Sequence, residues 1–222
     1  GPKNVFSEKS KKNAELMSRI NDQNDIITTA VSTIEEFENE QNVVNLSSTV
    51  SVAKGLLEDA NTAYIDADKA VDAKPDTDLS KQAEVVSDAL TRVNSIVKDA
   101  REILNREFTL KYKALEIIYE ETRKEYGDLS PDYLKDESLD YPKLACEGFE
   151  SNALEALRTF NGNISTQESA KTLTKSLNKS KLALEEYQDS LATLKGIYEE
   201  VVKRTTEAKH VLTSFDKSLV LK

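Results

Sequence analysis

Apolar residues recur along most of this chain at alternating intervals of three and four. That spacing puts one stripe on one face of an α-helix and, when sustained, makes a coiled-coil seam. The first run is Met17, Ile20, Asn24, Ile27, Val31 and Ile34. Its phase is lost between Glu38 and Ser51 and resumes as Ala53, Leu57, Ala60, Tyr64, Ala67 and Val71. Lys74-Pro75-Asp76-Thr77-Asp78 then interrupts. The residue before a proline is pushed out of the helical region, and the Asp/Thr cluster can cap a new helix. The cleanest seam follows as Leu79, Ala83, Val86, Leu90, Val93, Val97, Ala100 and Leu104. It continues less strictly through Phe108, Leu115 and Ile118 to Glu125, which predicts a helix about 70 Å long at 1.5 Å per residue. A last helix mirrors it. Ser165-Thr166-Gln167-Glu168 has the form of a capping box and precedes Leu173, Leu177, Leu184, Tyr187, Leu191, Leu194, Tyr198, Val201, Ala208, Leu212 and Phe215. Ser180 and Thr205 fall on the same stripe as two polar notches.

The pattern predicts an all-α fold, an elongated antiparallel bundle of three or four long helices occupying residues 6–222 as one domain. The seams at 79–125 and 173–215 match in length and are most simply an antiparallel pair, with 7–73 lying against them. The stretch Asn42–Thr49 is rich in residues that compete for backbone hydrogen bonds, but it holds neither glycine nor proline. One kinked helix over 7–73 is therefore expected, with a turn into two helices as the alternative. Residues 1–5 read as a tag-cleavage scar and a disordered start, so an anchor or leader could have been removed with the tag.

Residues 127–164 differ in kind and predict a small head inserted in the bundle. They carry Pro131 and Pro142, Gly127, Gly148 and Gly162, and the only cysteine, Cys146. Ser130-Pro131 predicts a short helix over Pro131–Glu137, and a second is expected over Ser151–Phe160, closed by Asn161-Gly162. Aromatics gather here: Phe108, Tyr112, Tyr119, Tyr126, Tyr133, Tyr141, Phe149 and Phe160 are eight of the chain's fourteen. Between Asp128 and Glu150 there are seven acids and two lysines. A bundle end needs a cap, and aromatics fill the wider space there. The same traits suit recognition, since tyrosine is favoured at interfaces and loops carry function. Tyr126, Tyr133, Asp136, Tyr141 and Phe149 are the expected partner-binding residues.

Composition narrows the function classes. Charged residues are 32% of the chain, aromatics 6%, and tryptophan is absent, the profile of long helices with few breakers. The formal net charge of −10 and the lack of any long Lys/Arg run argue against nucleic acid and against an anionic membrane surface. The densest basic cluster is Lys9-Ser10-Lys11-Lys12. No apolar run approaches the length of a membrane span, so insertion of this stretch in a bilayer is not expected. A protein partner is expected; a small-molecule ligand is not indicated.

No residue set carries recognisable chemistry, so no cofactor, metal or catalytic group is expected and an enzyme is disfavoured. Glu207-Ala208-Lys209-His210 has the Glu-x-x-His spacing of dimetal helices, but such a site needs two copies, and His210 is the only histidine. Cys146 lacks a cue for activation. The paired acids Glu35-Glu36, Glu120-Glu121, Glu185-Glu186 and Glu199-Glu200 diverge around a helix, as solvated faces do. The aspartates at 66, 68, 72, 76 and 78 lack the order of a calcium loop. Asn45-Leu46-Ser47, Asn163-Ile164-Ser165 and Asn178-Lys179-Ser180 are glycosylation sequons, which arise by chance in a chain this rich in Asn, Ser and Thr.

The layout of heptad helices at 17–71, 79–125 and 173–215 with a head at 127–164 resembles the elongated three-helix surface proteins of African trypanosomes, the haptoglobin–haemoglobin receptors and the glutamate/alanine-rich surface protein. The resemblance rests on layout rather than on a motif, so no binding residue carries over. The alanine-poor final helix and the lone Cys146 depart from it. It implies an extracellular, anchored receptor, antigen or adhesin that binds a macromolecule through its head. The competing expectation is an intracellular coiled-coil scaffold or adaptor docking partner helices along its seams.

Overall fold

The fold is all-α. A computed structural model describes the backbone of residues 2–39 and 45–221, with side chains from 8 to 38 and from 45 to 220. These residues form α1 (Pro2–Asn39), α2 (Ser47–Ala73), α3 (Ser80–Gly127), α4 (Asp140–Ser165) and α5 (Ala170–Leu221). Two 3-10 turns, Tyr133–Lys135 and Glu137–Leu139, lie between α3 and α4, and no strand occurs among the described residues. The chain divides into two compact units, Gly1–Glu107 with Ser169–Lys171, and Phe108–Glu168 with Thr172–Lys222.

In the first unit α1 and α2 are antiparallel. Asn13 donates to the carbonyls of Pro75 (2.9 Å) and Thr77 (2.7 Å), Asn24 donates to Asn61 (3.0 Å), and Glu35 pairs with Lys54 (3.5 Å). One number rises as the other falls. The Arg101 guanidinium lies 4.7 Å over the Phe37 ring, so α3 returns alongside α1 in the same direction. The α1 stripe is buried as its spacing predicts, at Ile20, Asn24, Ile27, Val31 and Ile34, and Phe37 extends it. The α2 stripe is set one residue off the expected one in places. Val50, Ala53, Leu56, Ala60, Ala63 and Ala67 are buried, while Leu57 and Tyr64 are half-buried at its edge. Alanines on the seam let α2 approach closely, and the larger side chains flank it.

The expected single helix over 7–73 is therefore corrected to two. Neither apolar stripe is covered unless the chain reverses, and burying both against each other outweighs the lack of a breaker. Residues 40–44 lie outside the described residues. Directly after them the Asn45 side chain accepts from the Ser47 N–H at 3.2 Å and from its hydroxyl at 2.7 Å, the local competition that asparagine and serine offer a helix.

The second unit is also an up-down-up triple, made of α3 from Phe108 onward, α4 and α5. Phe108 meets Phe160 edge-on at 6.1 Å, Tyr119 donates to Glu150 (3.1 Å) and Tyr126 to Glu147 (2.8 Å), so α4 runs antiparallel to α3. Asn163 donates to Ser176 (2.6 Å) and Ser180 to the Ala156 carbonyl (3.1 Å), reversing the chain once more. Tyr119 lies 6.0 Å from Tyr187, and Glu125 pairs with Lys195 at 3.8 Å, which sets α5 parallel to α3. Leu184, Leu191 and Leu194 are buried here, and Val93 is buried in the first unit; Leu90 and Val97 are half-buried.

Within the expected 127–164 head the helix bounds differ from the prediction. Most of that stretch is α4, a full member of the triple, not an appended helix over Ser151–Phe160. Pro142 is its third residue, inside the first turn, where a missing N–H leaves no hydrogen bond unmade. Gly148 and Gly162 are accommodated within the helix. The short helix expected over Pro131–Glu137 is replaced by the two 3-10 turns. Ser165 ends α4 rather than capping α5; the turn that follows has Thr166 donating to Glu168 at 3.1 Å and Gln167 at φ 53°.

The notch at Ser180 is fully buried, and its hydroxyl reaches the α4 backbone. Ser180→Leu is expected to lower the unfolding free energy by about 1–3 kcal/mol through overpacking, whereas Ser180→Ala should cost about 1 kcal/mol or less. Urea unfolding followed by tyrosine fluorescence distinguishes the two. Equal losses would mean that the hydrogen bond, not the shape of the notch, dominates there.

Candidate functional site: the 128–150 end of the second unit

Between α3 and α4 the chain makes its longest irregular connection among the described residues, anchored by the fully buried Leu139. Its start is fixed by Tyr198 of α5, whose hydroxyl accepts the Ser130 N–H at 3.0 Å while its ring meets Tyr133 edge-on at 5.9 Å. Asp136 caps the second 3-10 turn, accepting the Ser138 N–H at 2.9 Å, with a further bond from the Ser138 hydroxyl. The Ser138 hydroxyl first and then its backbone N–H hold the Asp136 carboxyl below its ordinary value; burial opposes them, and the charge of Arg204 adds least. An open groove of about 430 Å³ runs beside these residues, lined by Asp132, Tyr133, Lys135, Asp136, Val201, Thr205 and Lys209.

The five expected partner-binding residues occupy different settings. Tyr126 is half-buried and its hydroxyl is bonded to Glu147, so it ties α3 to α4. Burial first, then that bond to a carboxylate, pushes its phenol up from the ordinary value. Tyr112 and Tyr119 share its helical face and do the same work, against Phe160 and Glu150. Tyr133 is half-buried on Tyr198, Asp136 is half-exposed, and Phe149 is half-buried on α4. Tyr141 differs: it is 80% exposed on the first turn of α4. Leu144, three residues on and so on the same helical face, is 68% exposed.

Leu144 and Tyr198 belong to this end and were not among the expected site residues. Leu144 could have been found from its i, i+3 spacing to Tyr141. Tyr198 lay on a seam, where an aromatic reads as core.

Cys146 is buried, and burial raises its thiol pKa, with a Ser190 hydrogen bond opposing, which lowers its reactivity. His210 is exposed on α5. Among the described residues no three His, Cys, Asp or Glu side chains lie together as metal ligands do, and no helix is long and apolar enough to cross a membrane. No family model matches the chain, and neither a curated protein nor a solved structure proves similar to it.

Proposed function

We propose that this is a non-enzymatic binding protein of the receptor or adhesin kind, which engages a protein partner through the 128–150 end of its second unit. The observation that carries the reading is the exposed apolar pair Tyr141 and Leu144, set in a stretch with seven acids and two lysines. An exposed tyrosine beside an exposed leucine is an anchor of the kind found at the centre of interfaces, and the surrounding charge favours a partner with a basic rim. An extracellular, surface-anchored setting is the one this reading carries with it. An adaptor that docks helices is the second reading, favoured by the uncovered apolar stripe on the end of α5.

A photo-crosslinking residue at position 141, compared with one at Glu185 on the α5 flank, identifies the partner. The purified partner is then titrated against Tyr141→Ala and Leu144→Ala. Each is expected to weaken binding by about 2 kcal/mol, roughly 30-fold, with unchanged circular dichroism. Equal crosslinking from both positions, or wild-type affinity in both variants, would remove the site from this end of the unit.

A further inference from the structure

The seam of α5 does not stop where its cover stops. Tyr198, Val201, Thr205, Ala208, Leu212, Phe215 and Leu219 keep the alternation of three and four without a break. Val201 is still buried, yet every residue from Thr206 to Val220 is exposed, with Leu212, Phe215 and Leu219 at 62%, 60% and 56%. A strict heptad stripe takes another helix as its complement, because only a second helix supplies the matching holes. The charges beside the stripe say which helix.

We infer that the end of α5, from about Thr205 onward, pairs with the same segment of a second copy of this chain as a short antiparallel two-stranded coiled coil. With Leu212 of one copy layered against Phe215 of the other, Lys209 of each copy comes opposite Asp216 of the other. The two-fold axis makes that ion pair twice. In the parallel arrangement Arg204 of one copy would instead approach Lys209 of the other, a like-charge contact, and the positions flanking the seam are the ones that set orientation. A segment of little more than two heptads is short, so the dimer is expected to be weak, with Kd on the order of micromolar.

Sedimentation velocity on the whole chain, from about 1 µM upward, is expected to show a concentration-dependent dimer. Leu212→Asp combined with Phe215→Asp should abolish it without changing the helicity or melting temperature measured well below about 1 µM, where the chain is monomeric, since both side chains are exposed in the single chain. Lys209→Glu should weaken the dimer about tenfold by setting like charges face to face, and adding Asp216→Lys should restore it. A chain that stays monomeric at all concentrations overturns the inference. So does a dimer that survives the double aspartate change, or a Lys209→Glu loss that Asp216→Lys fails to rescue. Binding of the monomer to phosphatidylserine vesicles through Leu212 and Phe215, with no dimer in solution, would assign the stripe to a membrane surface instead.

Discussion

Phe160→Ala is expected to lower the unfolding free energy by about 3–5 kcal/mol. The ring is fully buried on α4 and is met edge-on by two aromatics of α3, Phe108 and Tyr112, each at 6.1 Å. Truncation removes the transfer free energy of the ring, both edge-to-face contacts and the filling of the space between three helices. Phe215→Ala is the matched control. It deletes the same atoms from an exposed site on α5 and should change stability by no more than about 0.5 kcal/mol. The chain has no tryptophan, and of its eight tyrosines only Tyr64 lies outside the second unit, so tyrosine fluorescence in urea reports on that unit. A loss below about 1 kcal/mol for Phe160→Ala would contradict the packing described between α3 and α4.

The second large effect is alkaline. Four phenols of the second unit are held neutral above their ordinary range. Tyr112 is raised to about 12, by burial first and then by its hydrogen bond to Glu116. Tyr119, Tyr126 and Tyr187 are also raised, again chiefly by burial, with the carboxylates of Glu150 and Glu147 adding to it. In the unfolded chain a phenol ionises near pH 10. The folded pKa values are higher, so the stabilisation is complete below about pH 10 and drains away as the pH rises from there through 12. Helicity and phenolate absorbance at 295 nm should therefore change together in that window, at lower pH when urea is present. Tyr119→Phe combined with Tyr187→Phe removes two ionisable groups and should move the midpoint upward. Phenolate absorbance that develops fully while helicity persists would show that these tyrosines are not held by the fold.

What was legible in the sequence depended on how each helix announces itself. The α1 stripe from Ile20 to Ile34 is apolar at every seam position but one, and that one, Asn24, is buried with its amide bonded to Asn61. In α2 the seam is mostly alanine, which contrasts weakly with its neighbours, so Leu57 and Tyr64 drew the stripe one residue away from Leu56 and Ala63. The reversal between α1 and α2 carries no glycine or proline. Nothing local enforces it; the gain comes from two stripes covering each other, a tertiary effect invisible to punctuation. The converse error befell α4, where Pro142, Gly148 and Gly162 read as breaks. A proline in the first turn leaves no hydrogen bond unmade, and Gly148 and Gly162 stand on the exposed face of α4, where each costs only about 1 kcal/mol of helix propensity while the other face is packed.

The site was legible as a region and less so as residues. Tyr112, Tyr119 and Tyr126 lie seven apart on α3 and so share a face, but a shared face is what a neighbouring helix covers, and α4 covers it. Tyr141 stands outside that periodicity, on the turn that opens α4, and is the most exposed of the five expected residues.

Cys146 gives the second unit a built-in clock. Its thiol is buried between α4 and α5 beside Ser190, and it is the only sulfhydryl in the chain. A maleimide or aromatic disulfide can react only in the moments when those helices part. The labelling rate is then the intrinsic thiolate rate multiplied by the fraction of time the seam stands open. Under native buffer, with no engineered label, that rate measures the fraction of time α4 stands away from α5, and its dependence on denaturant separates local fraying from unfolding of the whole triple.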